Sequence, residues 1–341
     1  MDNQIIVSVV MPLYNEENYI DDCIQSLLKQ DYPRSKMEWI FVDGMSTDRT
    51  MEILEYYKSK LSFIRILKNA KKIVPCAMNI GIEAAKGKYI IRLDAHSDYA
   101  KDYISKCVYY LDFTSAENVG GVAETVAEGE VGQAIAKMLS SPFGVGDSQF
   151  RTNGESGYVD TVPFGAFRRE VFDRWGGYDE RLIRNQDNEM NYRIRKNGGK
   201  IYLANDIHLT YHCRDSIKDI VNMALANGKW NIITTKLCGG AMSLRHFIPL
   251  IFDLSIVLLL LLGILWWPIW IALGLELLLY FGLDAFFSKK LAASTKEFWL
   301  LMRLFPTFHT TYGFGSIKGI FALPKFKKSK DSKTEEKEEI D

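Results

Sequence analysis

Four short apolar runs constrain the first hundred residues: Ile5–Met11, Trp39–Val42, Phe63–Leu67 and Tyr89–Leu93. Helical patterns separate them. Asn18–Lys29 puts Ile20, Ile24, Leu27 and Leu28 on one face, Arg49–Lys60 follows with Thr47 or Asp48 as its cap, and Ala77–Ala85 closes at Gly87. Strand, loop and helix in regular alternation predict βαβ units, hence an α/β fold with a mostly parallel sheet flanked by helices. In such sheets ligands collect at the carboxyl ends of the strands. Pro12-Leu13-Tyr14-Asn15-Glu16, Asp43 and Asp94 all fall at those ends, so three separate weak signals are read as one site.

The pattern then loosens. Tyr103–Leu111 reads as a helix and Val119–Val126 as a strand. Val131–Gly157 is rich in Gly, Ser and Pro, with a short helix over Gly132–Leu139; a loop of that length is a lid, a binding loop or disorder. Tyr158–Val162 is a strand leading into Pro163-Phe164-Gly165-Ala166-Phe167-Arg168-Arg169. Gln186-Asp187-Asn188-Glu189 precedes a helix over Met190–Lys196, and Lys200–Leu203 is a short strand. Lysine plus arginine equal aspartate plus glutamate at 42 each, so no nucleic-acid partner is indicated. The five cysteines form no CxxC pair, which points away from a zinc site or disulfide framework and fits a reducing cytoplasm. The N-terminus carries no signal-peptide pattern.

Asp94-Ala95-His96 ends the fourth run. A carboxylate and an imidazole two residues apart can reach one divalent ion; oxygen suits Mg²⁺ or Mn²⁺, and the imidazole tilts the choice to Mn²⁺. Such an ion would neutralise a diphosphate. The plainer alternative is a turn-capping Asp94 beside an ordinary loop histidine. Asp43 before Gly44 also reads as a turn residue, Glu16 as a solvated loop acid, and Asp187 as the N-cap of its helix.

Together these motifs resemble the family 2 glycosyltransferases, which have the GT-A fold. The resemblance covers roughly Ile5 to Tyr211. It rests on Pro12–Glu16, on Val42-Asp43-Gly44-Met45-Ser46-Thr47-Asp48, on Asp94–His96, and on Gln186–Glu189 with Arg193 following. The chain looks most like the bacterial exopolysaccharide transferases of the succinoglycan type, which also carry membrane helices after the catalytic domain and share the His309-Thr310-Thr311-Tyr312-Gly313-Phe314-Gly315 run. The resemblance implies that Asp43 contacts a uracil base, and that Glu16 with the Pro12 to Tyr14 backbone lines the nucleotide pocket. It makes Asp94 and His96 the metal ligands, although the usual family triplet ends in Asp; whether Asp98 joins them stays open. Asp187 would be the catalytic base of an inverting displacement, with Gln186 where the family has Glu. Gly165 would let backbone approach the donor sugar or acceptor. Glu189 is structural or an acceptor contact. Arg193 and Arg195 bind phosphate or form a solvated face. His208 and His212 are mostly structural, with His212 a further metal contact in some GT-A enzymes.

Ser216–Leu237 is amphipathic, an interfacial helix or one packed on the sheet. Ala226-Asn227-Gly228-Lys229-Trp230 departs from the Gln-x-x-Arg-Trp motif of processive relatives, which argues against a polymerising synthase. Phe247–Trp267 and Pro268–Phe287 are each apolar enough to span a bilayer, with Trp266, Trp267 and Trp270 as an interfacial belt. Asp253, Glu276 and Asp284 are unusual there and should face partners, a cavity or the interfaces. Phe298–Leu323 is broken by Pro306, His309 and three glycines. Basic Ser288-Lys289-Lys290 and the tail Lys325 to Lys333 favour the cytoplasm, which makes two full spans and leaves Phe298–Leu323 re-entrant or interfacial; three spans oppose the charge bias.

The reading is therefore a catalytic domain over residues 1–240, a membrane region over 241–324 and a charged, disordered tail over 325–341. The protein is expected to be a multi-pass cell-membrane enzyme with its catalytic domain in the cytoplasm. It would use a UDP-sugar, Mn²⁺ or Mg²⁺, and a lipid-linked (polyprenyl diphosphate) saccharide acceptor in making a cell-surface polysaccharide. The alternatives are a transferase acting directly on polyprenyl phosphate, and a non-catalytic nucleotide-binding membrane scaffold.

Overall fold

The computed structural model of the chain describes residues 4–152 and 154–326; the tail predicted to be disordered falls almost wholly outside them. The chain divides into two compact units, one up to Asp215 and one from Ser216 on.

The first unit begins with β1 (Val7–Leu13), α1 (Ile20–Leu28), β2 (Met37–Asp43), α2 (Thr50–Lys60), β3 (Ile64–Lys68), α3 (Val74–Ala84) and β4 (Tyr89–Arg92). These strands pair in parallel in the order β3-β2-β1-β4, and the register sets Leu13 beside Asp43 and Val10 beside Arg92. The runs are mostly apolar because both faces of β1, β2 and β4 are covered; Ser8, Glu38 and Arg92 are buried polar exceptions. Side chains alternate: Val9, Met11, Trp39, Phe41 and Ile91 pack against α1 and α2, while Val10, Ile40, Val42 and Ile90 pack against α3.

The second half of this unit is less regular. It comprises β5 (Ser97–Tyr99), α4 (Tyr103–Phe113), β6 (Asn118–Val126), α5 (Gly129–Leu139), α6 (Pro142–Val145), β7 (Gly157–Tyr158), β8 (Ala166–Arg168), α7 (Glu170–Trp175), α8 (Gln186–Lys196) and β9 (Ile201–His212). The sheet continues β4-β8-β6-β9-β5, with β7 on β9, and mixes parallel and antiparallel pairs. Three features depart from the sequence expectation. The stretch over Val131–Gly157 holds two helices, the strand over Tyr158–Val162 shrinks to Gly157–Tyr158, and the strand at Lys200–Leu203 runs on to His212. Pro163 and Gly165 deny a strand to the residues before β8, since one lacks an N–H and the other has positive φ.

The second unit contains α9 (Ile217–Cys238), α10 (Ile248–Leu265), α11 (Ile269–Leu291) and α12 (Thr295–Ala322). Helices α10 and α11, of 18 and 23 residues, are long and apolar enough to cross a membrane. Their surfaces stay apolar and exposed, with Leu258, Leu261, Leu265, Leu275 and Leu278 all uncovered, as are Trp266 and Trp267 in the link between them. The three acids expected to be costly here turn toward neighbours. Glu276 accepts a hydrogen bond from Ser255 Oγ at 2.5 Å, Asp284 accepts one from Ser288 at 2.9 Å, and Asp253 lies against Gly313. The expected break in Phe298–Leu323 is absent: α12 runs 28 residues with Pro306 inside it. Its glycines serve close packing instead. A Cβ on Gly315 would lie 2.4 Å from the Leu225 carbonyl oxygen, and one on Gly319 2.6 Å from that of Lys229, so α9 and α12 meet backbone to backbone.

Candidate active site

The carboxyl ends of β1 and β2 carry two loops that are laced together. The Asn15 N–H donates to Ser46 Oγ (2.9 Å), and Asn15 Oδ1 accepts from the Thr47 N–H (2.9 Å). The Glu16 N–H donates to Thr50 Oγ1 (2.8 Å), and Glu17 Oε2 accepts from the Arg49 N–H (3.0 Å). Asn15 and Met45 adopt left-handed backbone, with φ of 56° and 64°, which tightens both turns. Gly44 permits the approach, since a Cβ there would sit 3.2 Å from the Leu13 carbonyl oxygen. Asp48 caps the next helix by accepting from the Thr50 N–H at 3.0 Å. Buried Asp43 sits in the floor of this lacework, and its carboxylate accepts from the Ser46 N–H at 3.1 Å. Pro12 is buried within β1, while Tyr14 is exposed.

Asp94 and His96 follow β4. The Tyr99 hydroxyl clamps the bend, accepting from the Asp94 N–H (2.8 Å) and donating to its carbonyl (3.1 Å). His96 Nδ1 lies 3.6 Å from Glu16 Oε1, which joins the β1 loop to the β4 loop. Burial works against the charged imidazole, but Glu16 and Asp94 outweigh it and raise the His96 pKa. Asp98 and His212 pair with each other, Oδ2 to Nε2 at 2.8 Å, because β5 and β9 run antiparallel there. Among the described residues, no three His, Cys, Asp or Glu side chains form a metal-enclosing group.

Asp187 sits in the first turn of α8, whose N-cap is Asn185 in left-handed backbone (φ 63°). The capping alternative for Asp187 therefore falls, and its carboxylate meets Arg92 instead. Arg92 Nη1 pairs with Asp187 Oδ1, and its Nη2 lies 3.3 Å from Asp94 Oδ1. One guanidinium thus touches acids 93 residues apart in the chain. Helix α8 is tied to the sheet by Asn191, which accepts from Asn118 Nδ2 (2.7 Å) and donates to Thr161 Oγ1 (2.8 Å).

Sequence reading passed over Arg92 as one residue of a strand. The signal was there: an arginine inside Tyr89-Ile-Ile-Arg-Leu must be buried, and a buried charge requires a partner. Burial opposes its charge, while Asp187 and then Asp94 more than compensate, so the guanidinium is held more firmly protonated than usual.

The remaining candidates make other contacts. Glu189 and Arg193 engage each other in a fork at 2.6 and 2.9 Å, and Arg193 also donates to the Trp175 carbonyl at 2.6 Å. That fork accounts for both residues as helix-holding groups. Gly165 has φ +24°, and a Cβ on it would meet Phe167 at 2.4 Å and Asn118 at 2.6 Å. Its missing side chain therefore answers crowding inside the domain, and its carbonyl accepts from the Arg92 N–H at 3.0 Å.

Architecture and comparison agree on the class of protein. The structure is similar to that of the mannosyltransferase PcManGT of Pyrobaculum calidifontis, solved with GDP-Man and Mn²⁺: TM-score 0.57 at 17% identity, covering 94% of this chain and 87% of that one. It is also similar to residues 1–349 of S. aureus TarS solved with UDP-GlcNAc, with TM-score 0.52 at 17% identity, covering 93% and 92%. The fold is GT-A-like.

Residues 8–176 match the model for glycosyl transferase family 2; the chain carries a family 2 glycosyltransferase domain and is a glycosyltransferase. It is 29% identical over 230 residues to the dolichyl N-acetyl-alpha-D-glucosaminyl phosphate 3-beta-D-2,3-diacetamido-2,3-dideoxy-beta-D-glucuronosyltransferase of Methanococcus voltae, covering 65% of this chain and 71% of that protein. It is 31% identical over 208 residues to the succinoglycan biosynthesis protein ExoA of Rhizobium meliloti, covering 60% of this chain and 63% of that protein, so the match spans less than two thirds of the latter's length.

Proposed function

We propose that the chain is an inverting glycosyltransferase that moves a sugar from a UDP-sugar to a lipid-linked saccharide, for a cell-surface polysaccharide, at the cytoplasmic face of the membrane. The observation that carries the reading is the shared guanidinium: Asp94 and Asp187 both touch Arg92, which supports reading the group assigned to the leaving side and the group assigned to the acceptor side as parts of one site.

Asp43 accepts from the imide N–H of the uracil ring, while Glu16 and the Pro12 to Tyr14 backbone wall the nucleotide. Asp187, one-third exposed, takes the proton of an acceptor hydroxyl as that oxygen attacks the anomeric carbon. One displacement by one carboxylate inverts the centre; a retaining double displacement would need a second carboxylate as nucleophile. Glu189, the nearest in sequence, is spent on Arg193.

The donor set fits a divalent cation of the Mn²⁺ or Mg²⁺ class. A cation on a diphosphate is held by one or two protein groups, with phosphate oxygens and water completing its shell, so no three-residue cage is needed. Asp94 and His96 would hold it, and when bound it supplies charge neutralisation for the departing UDP.

The lipid acceptor is supported by α10 and α11 and by the dolichyl-linked substrate in the printed name of the Methanococcus relative. That name puts a saccharide between lipid and new sugar, which favours this acceptor over bare polyprenyl phosphate. Basic Lys289 and Lys290, at the end of α11, support by the positive-inside rule a cytoplasmic position for that end and for the catalytic domain, with two full crossings.

UDP release tests the reading. Wild type is expected to release UDP from a UDP-sugar only when a lipid-linked saccharide is present, and Asp187→Asn to lose this. Equal turnover by both would remove Asp187 as base, and full activity in EDTA would remove the cation from Asp94 and His96.

A further inference from the structure

Arg92 is placed as a structural residue rarely is. Its backbone is fixed in mid-sheet, between β1 and β8, and its side chain is 5% exposed. Both terminal nitrogens are spent on carboxylates from different elements, while Nε is buried with no hydrogen-bond partner. A guanidinium placed only for stability would satisfy all its donors, because a buried N–H left without a partner is costly. Here the fork is aimed at two carboxylates at the expense of its third nitrogen. The Phe164 ring lies 5.9 Å from the guanidinium carbon on one side.

The charge count is the second observation. Two carboxylates share one guanidinium, so the centre carries one net negative charge. A divalent cation approaching Asp94 is drawn by that charge and opposed by Arg92 Nη2, which already lies 3.3 Å from Asp94 Oδ1. Whatever engages Asp94 competes with Arg92 for that oxygen, and among the described residues the other carboxylate paired with Arg92 is Asp187.

We infer that Arg92 is a positioning residue which couples the two sides of the site: engagement of Asp94 on the donor side commits the guanidinium to Asp187, and so fixes the base once the donor is present. This rests on the roles given above to Asp94 and Asp187. It makes a prediction that a stabilising role does not, because the two halves of the coupling move in opposite directions when Arg92 is removed.

The test uses the full chain in detergent, with UDP and Mn²⁺ as probes. Calorimetric titration of Mn²⁺ into the protein with UDP present is compared with kcat and KM for UDP release from whichever UDP-sugar wild type turns over best. Arg92→Gln is expected to bind Mn²⁺ about tenfold more tightly, the low end of what one neighbouring charge does to a carboxylate. Its kcat should fall on the order of 10–100-fold, as for loss of a group that orients a ligand or base. Arg92→Lys keeps the charge but not the fork, so Mn²⁺ affinity should stay near wild type while kcat remains low. If Arg92→Gln does not fold, the double variant Arg92→Gln with Asp187→Asn restores the charge balance and reads the Mn²⁺ half alone.

Weaker Mn²⁺ binding in Arg92→Gln or in the double variant, or full rescue of kcat by Lys, overturns the inference and leaves the proposed function standing. Absence of Mn²⁺-dependent UDP binding in wild type, or undiminished turnover by Asp187→Asn, overturns the proposed function itself.

Discussion

Strands β1 to β4 and strands β5 to β9 share one sheet but are assembled differently. Each of the first four is separated from the next by a helix and pairs in parallel with the others, and β1, β2 and β4 are buried throughout, while β3 at the edge is half-buried. The later strands are short, apart from β6 and β9, and pair in both directions; β8 inserts antiparallel between β4 and β6. The parallel half ends in two loops that hold each other through backbone and short polar side chains. The mixed half reaches the same centre through Asp187 at the start of α8, with the Phe164 ring over Arg92 and the Tyr211 ring against His96. A pocket for a nucleotide shared by many enzymes suits a rigid loop frame. A pocket for a variable acceptor suits an assembly in which few residues are committed.

If that division is correct, substitutions in the two halves fail in different ways. The largest effect is expected at Asp187→Asn: turnover should fall by roughly 10²–10⁴-fold while UDP binding, followed by calorimetry, stays near wild type. Next is Asp43→Ala, which should weaken UDP binding by about 10–100-fold, the loss of one hydrogen bond to a charged group. A kcat defect in Asp43→Ala with intact UDP affinity would break the comparison.

Backbone crowding distinguishes the halves more finely. A Cβ on Gly121, in β6, would lie 2.2 Å from the Ile207 carbonyl oxygen, which the sheet cannot move. A Cβ on Gly81, in α3, would lie 2.3 Å from Val10 Cγ1, a side-chain atom with some freedom. Thermal or denaturant unfolding should show Gly121→Ala costing about 3 kcal/mol and Gly81→Ala about 1 kcal/mol.

The smallest effect concerns Glu180, which accepts from Lys71 and Asn79 and so ties the two halves at the surface. Lys71, then Cys76 and Asn79, hold its carboxyl down at about 2. A depressed folded-state pKa contributes stability above the ordinary carboxylate range and loses it as pH falls toward 2. The Tm difference between wild type and Glu180→Gln should therefore be small at pH 6 and vanish by pH 2; a difference that grows on acidification would contradict the assignment.

The same contrast explains what could be read without coordinates. Strands β1 to β4 were legible because runs dominated by Ile, Val and aromatic residues leave a strong apolar signature even where Ser8, Arg65 and Arg92 interrupt it. Strand β5, Ser97-Asp98-Tyr99, and β8, Ala166-Phe167-Arg168, have none; their pairing is decided by partners far along the chain. That Pro12, Asp43, Asp94 and His96 sit at or just past strand ends was legible because the apolar runs stop there. The tie between Asp94 and Asp187 was not, since no spacing rule connects residue 92 to residue 187. Pro306 and the glycines of α12 suggested interruption, because a residue that breaks an isolated helix can equally permit a close neighbour.

That last feature has a mechanical corollary. Where α9 and α12 touch through Gly228, Gly315 and Gly319, main-chain atoms lie where side chains would normally interpose. Side chains deform in small rotameric steps and act as a lubricant between helices; bare backbone offers no such steps. The pair should behave as a single stiff beam, so that whatever flexing this unit undergoes must be found in α10 and α11 or in the links that join them.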